Sequence, residues 1–389
     1  MTYLDNGATA FPKAPNLDVA TANFFKHSHG NPGRGINRAT TEASTILQNL
    51  RIKVASLLGI PDPLRIGFVP SSTYALNTAI YSCVSSTKNI AFIISPMEHN
   101  SVTRPLWKLK ETHNFPIVIS GGKGMLMDPY ILKNNILNLK LEGKNAVVIV
   151  TLSSNITGHV NNVTAISSVC RDTDSVLILD ASQGAGAIGI NVSGLKRLDY
   201  MAVPGHKGLM GPQGTGILYV RPSSPVTPII QGGTGTGAYD IMTDIMPDCI
   251  EAGTINLPGL VGLSHAIDYI SNTTANKILE HKQNMCQIIS SKLSRTKDIL
   301  AVTDTSFNNS GIYSFNIAGM DSQKVASILD QDYKITVRGG FHCSPLGHKS
   351  LGTSEIGAVR ITPGAFTTEK EMQYACDSIL HIVSNKDKY

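Results

Sequence analysis

Between residues 40 and 220, short runs rich in Val, Ile and Leu alternate with longer stretches whose apolar residues recur at helical spacing. Seven runs read as strands: 65–69, 89–95, 116–120, 145–152, 175–180, 200–203 and 215–220. In 41–58, Ile46, Leu50, Val54 and Leu57 fall on one helix face, with Thr40 or Thr41 as the expected cap and Glu42 in the first turn. Strands alternating with helices of this size imply an α/β fold whose sheet is mainly parallel and flanked by helices. In such sheets ligands bind beyond the carboxyl ends of the strands, so the residues just after each strand are where chemistry is expected.

The pattern changes after residue 258. Helical stretches at 258–270 and 274–293 are followed by shorter runs at 312–317, 323–329, 335–338 and 358–362, and by a closing helix from Thr368. The expectation is a large domain over 15–257 and a smaller α+β domain over 258–389, with segment 1–14 packing near it. There is no internal repeat and no long linker.

Charged residues are only 16% of the 389, against roughly 25% in average soluble domains. The formal net charge of +5 comes without any Lys/Arg block, so neither a nucleic-acid nor a membrane footprint is expected. No apolar run is long enough to span a bilayer, and the opening Met1-Thr2-Tyr3-Leu4-Asp5 has no leader pattern. The six cysteines are scattered without a CxxC pair, which argues against a zinc site or disulfide framework and for a reducing cytoplasm.

The run Val203-Pro204-Gly205-His206-Lys207-Gly208 follows a strand and puts a lysine between glycines close to the core. Burial there depresses an amine pKa, as a Schiff-base lysine requires; a loop lysine with its head in water is the bland alternative. The apolar strand at 175–180 ends in Asp180, which either caps a following helix or pairs with the pyridinium nitrogen of pyridoxal phosphate. Ser71-Ser72-Thr73 opens a helix and suits either a cap or a phosphate cradle. Met97-Glu98-His99 offers an imidazole that is structural or stacks on a flat ring, and Ser154-Asn155 is an ordinary turn or an amide facing that ring. The glycine-rich run 232–237 lacks the GxGxxG spacing and is read as a mobile loop near the active site, not a nucleotide site.

These residues, with Tyr3-Leu4-Asp5-Asn6, Asn31-Pro32-Gly33-Arg34-Gly35, Glu251-Ala252-Gly253-Thr254 and Arg338-Gly339-Gly340-Phe341-His342-Cys343, resemble the cysteine desulfurases. Those are class V aminotransferases of the fold-type I pyridoxal phosphate enzymes. The match runs from residue 3 to beyond Arg360 and is nearest the SufS-like branch, which also resembles selenocysteine lyases.

The resemblance implies roles position by position. Lys207 would bind pyridoxal 5'-phosphate covalently and shuttle the Cα proton. Asp180 would pair with the ring nitrogen, Gln183 with the ring hydroxyl, and His99 would stack on the ring. Ser72, Thr73 and His206 would hold the phosphate, and Thr254 would reach the phosphate of a neighbouring subunit, which requires a homodimer. Arg360 would clamp the carboxylate of L-cysteine with Asn155 nearby, and Arg338 and Arg34 are further candidates there. Cys343 would be the nucleophile that takes sulfur as a persulfide and passes it to an acceptor protein, as in iron–sulfur cluster assembly. No metal is implied.

Departures from the family pattern are Pro204, where a hydroxyl residue is usual, Pro70-Ser71, Ser344-Pro345 after the cysteine, and His348-Lys349 beyond it. Pro204 has no donor to offer a phosphate. Two other functions stay open: a selenocysteine lyase or other C–S/C–Se lyase using Lys207, and a non-catalytic sulfur carrier or scaffold.

Overall fold

The computed structural model describes residues 1–28, 30–33, 35–235 and 241–389. After the short β1 (Thr2–Tyr3) come α1 (Leu17–His27), α2 (Arg38–Leu58), β2 (Ile66–Val69), α3 (Ser72–Ser86), β3 (Ile90–Ile94), α4 (Asn100–His113) and β4 (Ile117–Ile119). The chain continues through α5 (Pro129–Leu141), β5 (Asn145–Thr151), α6 (Val163–Asp172), β6 (Val176–Asp180), β7 (Tyr200–Pro204) and β8 (Gly216–Val220). Strands β2 to β8 form one seven-stranded sheet in the order β2-β8-β7-β6-β5-β3-β4. From β7 to β4 every pairing is parallel, and β8 runs antiparallel to both of its neighbours.

The strands were legible because both faces of this sheet are covered, so they read as continuous apolar runs. Val148 and Val150 of β5 join Leu177 and Leu179 of β6 in the core on one face. Val147, Ile149 and Ile178 point into the core on the other. One expectation is corrected at α2. The helix starts at Arg38 because Asn37, not Thr40 or Thr41, is the cap, its side chain accepting from Thr40 N at 3.0 Å.

The rest of the chain forms α7 (Leu257–Thr273), α8 (Ala275–Leu293), β9 (Ile299–Ala301), β10 (Tyr313–Ile317), α9 (Ser322–Tyr333), β11 (Ile335–Thr336), α10 (Pro345–Leu351), β12 (Val359–Ile361) and α11 (Glu369–Ser384). Strands β12, β10 and β9 make a small antiparallel sheet over a core that includes Leu4, Ile289, Phe315, Ile361 and Ile379. The N-terminal segment joins this unit, since β1 pairs with β11 and Asp5 bridges Thr362. Leu260, Leu263, Ala266, Ile267 and Ile270 of α7 pack into the core of the large sheet, as does Ile278 of α8. The direction of the chain changes at Thr274, between α7 and α8, where φ is 70°.

Candidate active site

The carboxyl ends of β2, β3, β5, β6 and β7 open onto one cavity. Ser72, Thr73, His99, Asp180, His206 and Lys207 line it, as do Asn155 and Gln183. Asp180 is buried, and no helix follows it; Oδ1 instead closes a turn by accepting from Ser182 N at 2.9 Å. Lys207 stands in a loop that only glycines can thread. A Cβ on Gly205 would lie 2.1 Å from Thr215 Oγ1, and one on Gly208 2.1 Å from Ala185 O. Burial lowers the Lys207 pKa to about 8 against the opposing pull of Asp180, and Arg360, Arg338 and Cys343 also act on this amine.

His99 caps α4, its Nδ1 accepting from Ser101 N at 3.1 Å. Burial, then the nearby Lys207, lowers its pKa to about 4, so the ring is neutral at pH 7. His206 is likewise lowered to about 4 by burial and contacts Thr9 Oγ1 through Nδ1 at 3.2 Å. At the start of α3 the cap is Ser71, whose hydroxyl accepts from Tyr74 N. Ser72 and Thr73 are left to the cavity, where they meet Ser182 Oγ at 2.8 Å and Ser101 Oγ at 2.7 Å. Ser182 and Ser101 escaped sequence reading, although each stands two residues beyond an identified one. Lys13 escaped it too; its Nζ donates to His206 O at 3.0 Å, and burial lowers its pKa to about 8.

Two amides of the cavity already have partners within the chain. Gln183 Nε2 donates to Gly7 O at 2.9 Å. Asn155 gives both ends of its side chain to the Cys343 loop, donating to His342 O at 2.7 Å and accepting from Ser344 Oγ at 2.9 Å. Arg360 is fully buried, with Nη1 on Asn155 O at 3.0 Å, Nη2 on Asp5 Oδ1 at 2.6 Å, and Nε without a partner among the described residues. Arg338 Nη2 stands 3.8 Å from Cys343 Sγ. Cys343 is exposed, whereas the other five cysteines are buried. Thr254 lies apart, in a separate cavity beside Phe68, Pro70 and Tyr74. Arg34 and residues 236–237 of the glycine-rich run lie outside the described residues.

The family model of the class-V aminotransferases matches residues 2–374. The chain belongs to that family. Class-V aminotransferases are pyridoxal-phosphate-dependent enzymes. A Methanothermobacter thermautotrophicus protein described as a probable cysteine desulfurase is 30% identical to this chain, covering 98% of it and 94% of its own length. The apo structure of a cysteine desulfurase from Thermococcus onnurineus superposes with a TM-score of 0.89 at 26% identity, covering 99% of this chain and 95% of that one. An Escherichia coli cysteine desulfurase shares the fold, with a TM-score of 0.87 at 22% identity over 98% of this chain and 94% of its own.

The cavity of this class-V chain fits the cofactor by the chemistry of its donors. A buried carboxylate, Asp180, suits a protonated ring nitrogen, and the depressed amine of Lys207 suits a carbonyl carbon. The hydroxyls of Ser72, Thr73, Ser101 and Ser182 and the first turn of α3 suit a phosphate. Pro204 lines the same cavity without a donor, and the serine and threonine hydroxyls stand where one is needed.

Proposed function

We propose that this class-V enzyme is a cysteine desulfurase that moves the sulfur of L-cysteine onto Cys343 and releases L-alanine. The observation that carries this reading is the setting of Cys343, the one exposed cysteine of the six, 3.8 Å from a guanidinium and acting on the same amine as Asp180 and Arg360.

Asp180, Gln183 and His99 would hold the ring of pyridoxal phosphate, and Ser72, Thr73 and His206 its phosphate. Thr254, set apart from the cavity of its own chain, is read as serving the site of a second subunit in a homodimer. When bound, the cofactor supplies a sink for the electron pair left at the substrate Cα. Lys207 would hold the cofactor and would take the proton from Cα, which its amine can accept in the neutral form it reaches near pH 8. Arg360 takes the substrate carboxylate, its free Nε and remaining N–H groups forming the fork that a carboxylate matches. Asn155, whose backbone carbonyl receives Arg360 Nη1, and Arg338, whose charge acts on Arg360, would complete that end of the site.

Cys343 acts as thiolate, with Arg338 beside it as counter-charge. It attacks the substrate sulfur, so the C–S bond breaks as an S–S bond forms. The carbon is reduced to the methyl of alanine and the sulfur becomes sulfane sulfur; a proton completes the methyl, and no external oxidant is required. An acceptor protein in the cytoplasm then removes the sulfur; a selenocysteine lyase using the same Lys207 is the alternative reading. We place the boundary between the cofactor-binding and small domains at Thr274.

The test is alanine release from L-cysteine, with reductant present, by wild type and by Cys343→Ala. Alanine from wild type and almost none from the variant is the expected result. Equal release from both would remove Cys343 from the mechanism and leave a lyase.

A further inference from the structure

Ser344 occupies the N-cap position of α10, where a serine ordinarily accepts a hydrogen bond from its own helix, yet it makes no side-chain cap bond. Its hydroxyl is fully buried and donates instead to Asn155 Oδ1 at 2.9 Å. The opposite end of that amide donates to His342 O at 2.7 Å. His342 and Cys343 are consecutive non-glycine residues in the left-handed region, with φ of 49° and 58°. Such a pair persists only where its surroundings hold it. Its restraints include the Asn155 amide on His342 O, the Asn100 N–H on Cys343 O at 2.8 Å, and the His342 ring on Ala358 O at 3.0 Å.

The direction of the chain of bonds follows from donor chemistry. A carbonyl at His342 accepts only, so Asn155 must present its NH₂ there and its oxygen to residue 344. A hydroxyl satisfies that buried oxygen, whereas a methyl leaves it unpaired and frees the amide to turn. The backbone carbonyl of the same asparagine receives Arg360 Nη1 at 3.0 Å. Asn155 therefore touches the carboxylate-binding arginine with its main chain and the cysteine loop with its side chain.

We infer that Ser344 is a positioning residue, which through Asn155 sets the height of Cys343 above the site relative to Arg360. The inference rests on the desulfurase reading for the part Cys343 plays. Sulfur needs the nucleophile in place, while selenium leaves a weaker bond to carbon with far less dependence on it.

The experiment compares Ser344→Ala with wild type on L-cysteine and on L-selenocysteine. The variant is expected to lose about tenfold or more in kcat on L-cysteine, the cost of a misplaced reacting atom. Its KM for L-cysteine and its turnover of L-selenocysteine should stay within about twofold of wild type. Equal losses on both substrates would mean general damage to the site and overturn the inference, as would an unchanged kcat on L-cysteine. Wild type that makes no alanine from L-cysteine would sink the desulfurase reading instead. The positioning itself is then judged without turnover, by the rate at which iodoacetamide alkylates Cys343, followed by mass spectrometry. Ser344→Ala and Asn155→Ala should each speed alkylation about threefold, with the double variant no faster than either. Unchanged rates, or effects that multiply, would show that Ser344 does not act through Asn155.

Discussion

Arg360 Nη2 lies 2.6 Å from Asp5 Oδ1, so the most deeply buried guanidinium of the site takes its counter-ion from a residue 355 positions away in the chain. Burial works to lower the Arg360 pKa and Asp5 holds it up. The pair also ties the N-terminal segment to β12, beside the bridge between Asp5 and Thr362.

Removing Asp5 leaves that guanidinium buried and unpaired. Asp5→Ala should cost about 3 kcal/mol of stability, near the low end for breaking a buried pair because Asp5 keeps some exposure. Urea unfolding checks this: the midpoint should fall with the slope unchanged. A midpoint equal to that of wild type would show that water or another group balances Arg360.

Arg51 and Glu251 form a second buried pair, with Nη1 to Oε1 at 2.8 Å, and Glu251 Oε1 also accepts from Phe68 N at 2.6 Å. Arg51→Met leaves a buried carboxylate beside the Thr254 loop and should cost about 3–5 kcal/mol, whereas Arg51→Met with Glu251→Leu should cost clearly less. The comparison is made by thermal or urea unfolding of the two variants side by side. A double variant no more stable than the single would reject the explanation by an unpaired charge.

Glu98 is wholly buried, its Oε1 accepting from Ser95 Oγ and Thr151 N while Oε2 has no partner among the described residues. Burial, helped by Asp180, pushes its pKa up to about 8 from 4.5. The folded state thus binds the extra proton between these values, and stability falls as pH rises from 4.5 to 8. Glu98→Gln should flatten that decline when Tm is followed across the range. Parallel curves for variant and wild type would count against a neutral Glu98.

Lys207 has the opposite sign. Its folded pKa of about 8 lies below the ordinary 10.5, so the unfolded chain binds more protons between them and stability rises with pH over that interval. The free amine is the form that reacts with a carbonyl. Cofactor-free protein should therefore take up pyridoxal phosphate faster as pH increases through about 8, and Lys207→Ala should show no covalent uptake. Stopped-flow absorbance across pH 6.5 to 9.5, about 1.5 units either side of that value, gives the profile. A rate without inflection there would place the titration elsewhere.

Much of the scaffold was legible in advance. Five of the large-sheet strands pair in parallel, and the central ones are covered on both faces, so runs such as Val147-Val148-Ile149-Val150 stand out from their surroundings. Strand β9 was not anticipated because it is short and its residues are half-buried to exposed. Which core α7 packs into was not legible, because its apolar stripe reads the same whichever core receives it. In the site, Lys207, Asp180 and His99 were visible as strand-end residues, whereas Ser182, Ser101 and Lys13 acquire meaning only from what they touch.

The amino-acid sequence by itself determined which segments are the strands of the large sheet, where the loops that carry chemistry fall along the chain, and which residue types stand on them. Periodicity, glycine placement and side-chain chemistry are local properties, written in consecutive residues. Only the tertiary structure decided that Asp5 is the counter-ion of Arg360, that Asn155 turns its amide to the cysteine loop, and that Ser344 forgoes its helix to hold it there. It also decided that Lys207 is half-neutral near pH 8 and Glu98 largely protonated at pH 7. Burial and the meeting of residues distant in the chain set those partners and protonation states, and both arise only when the elements pack.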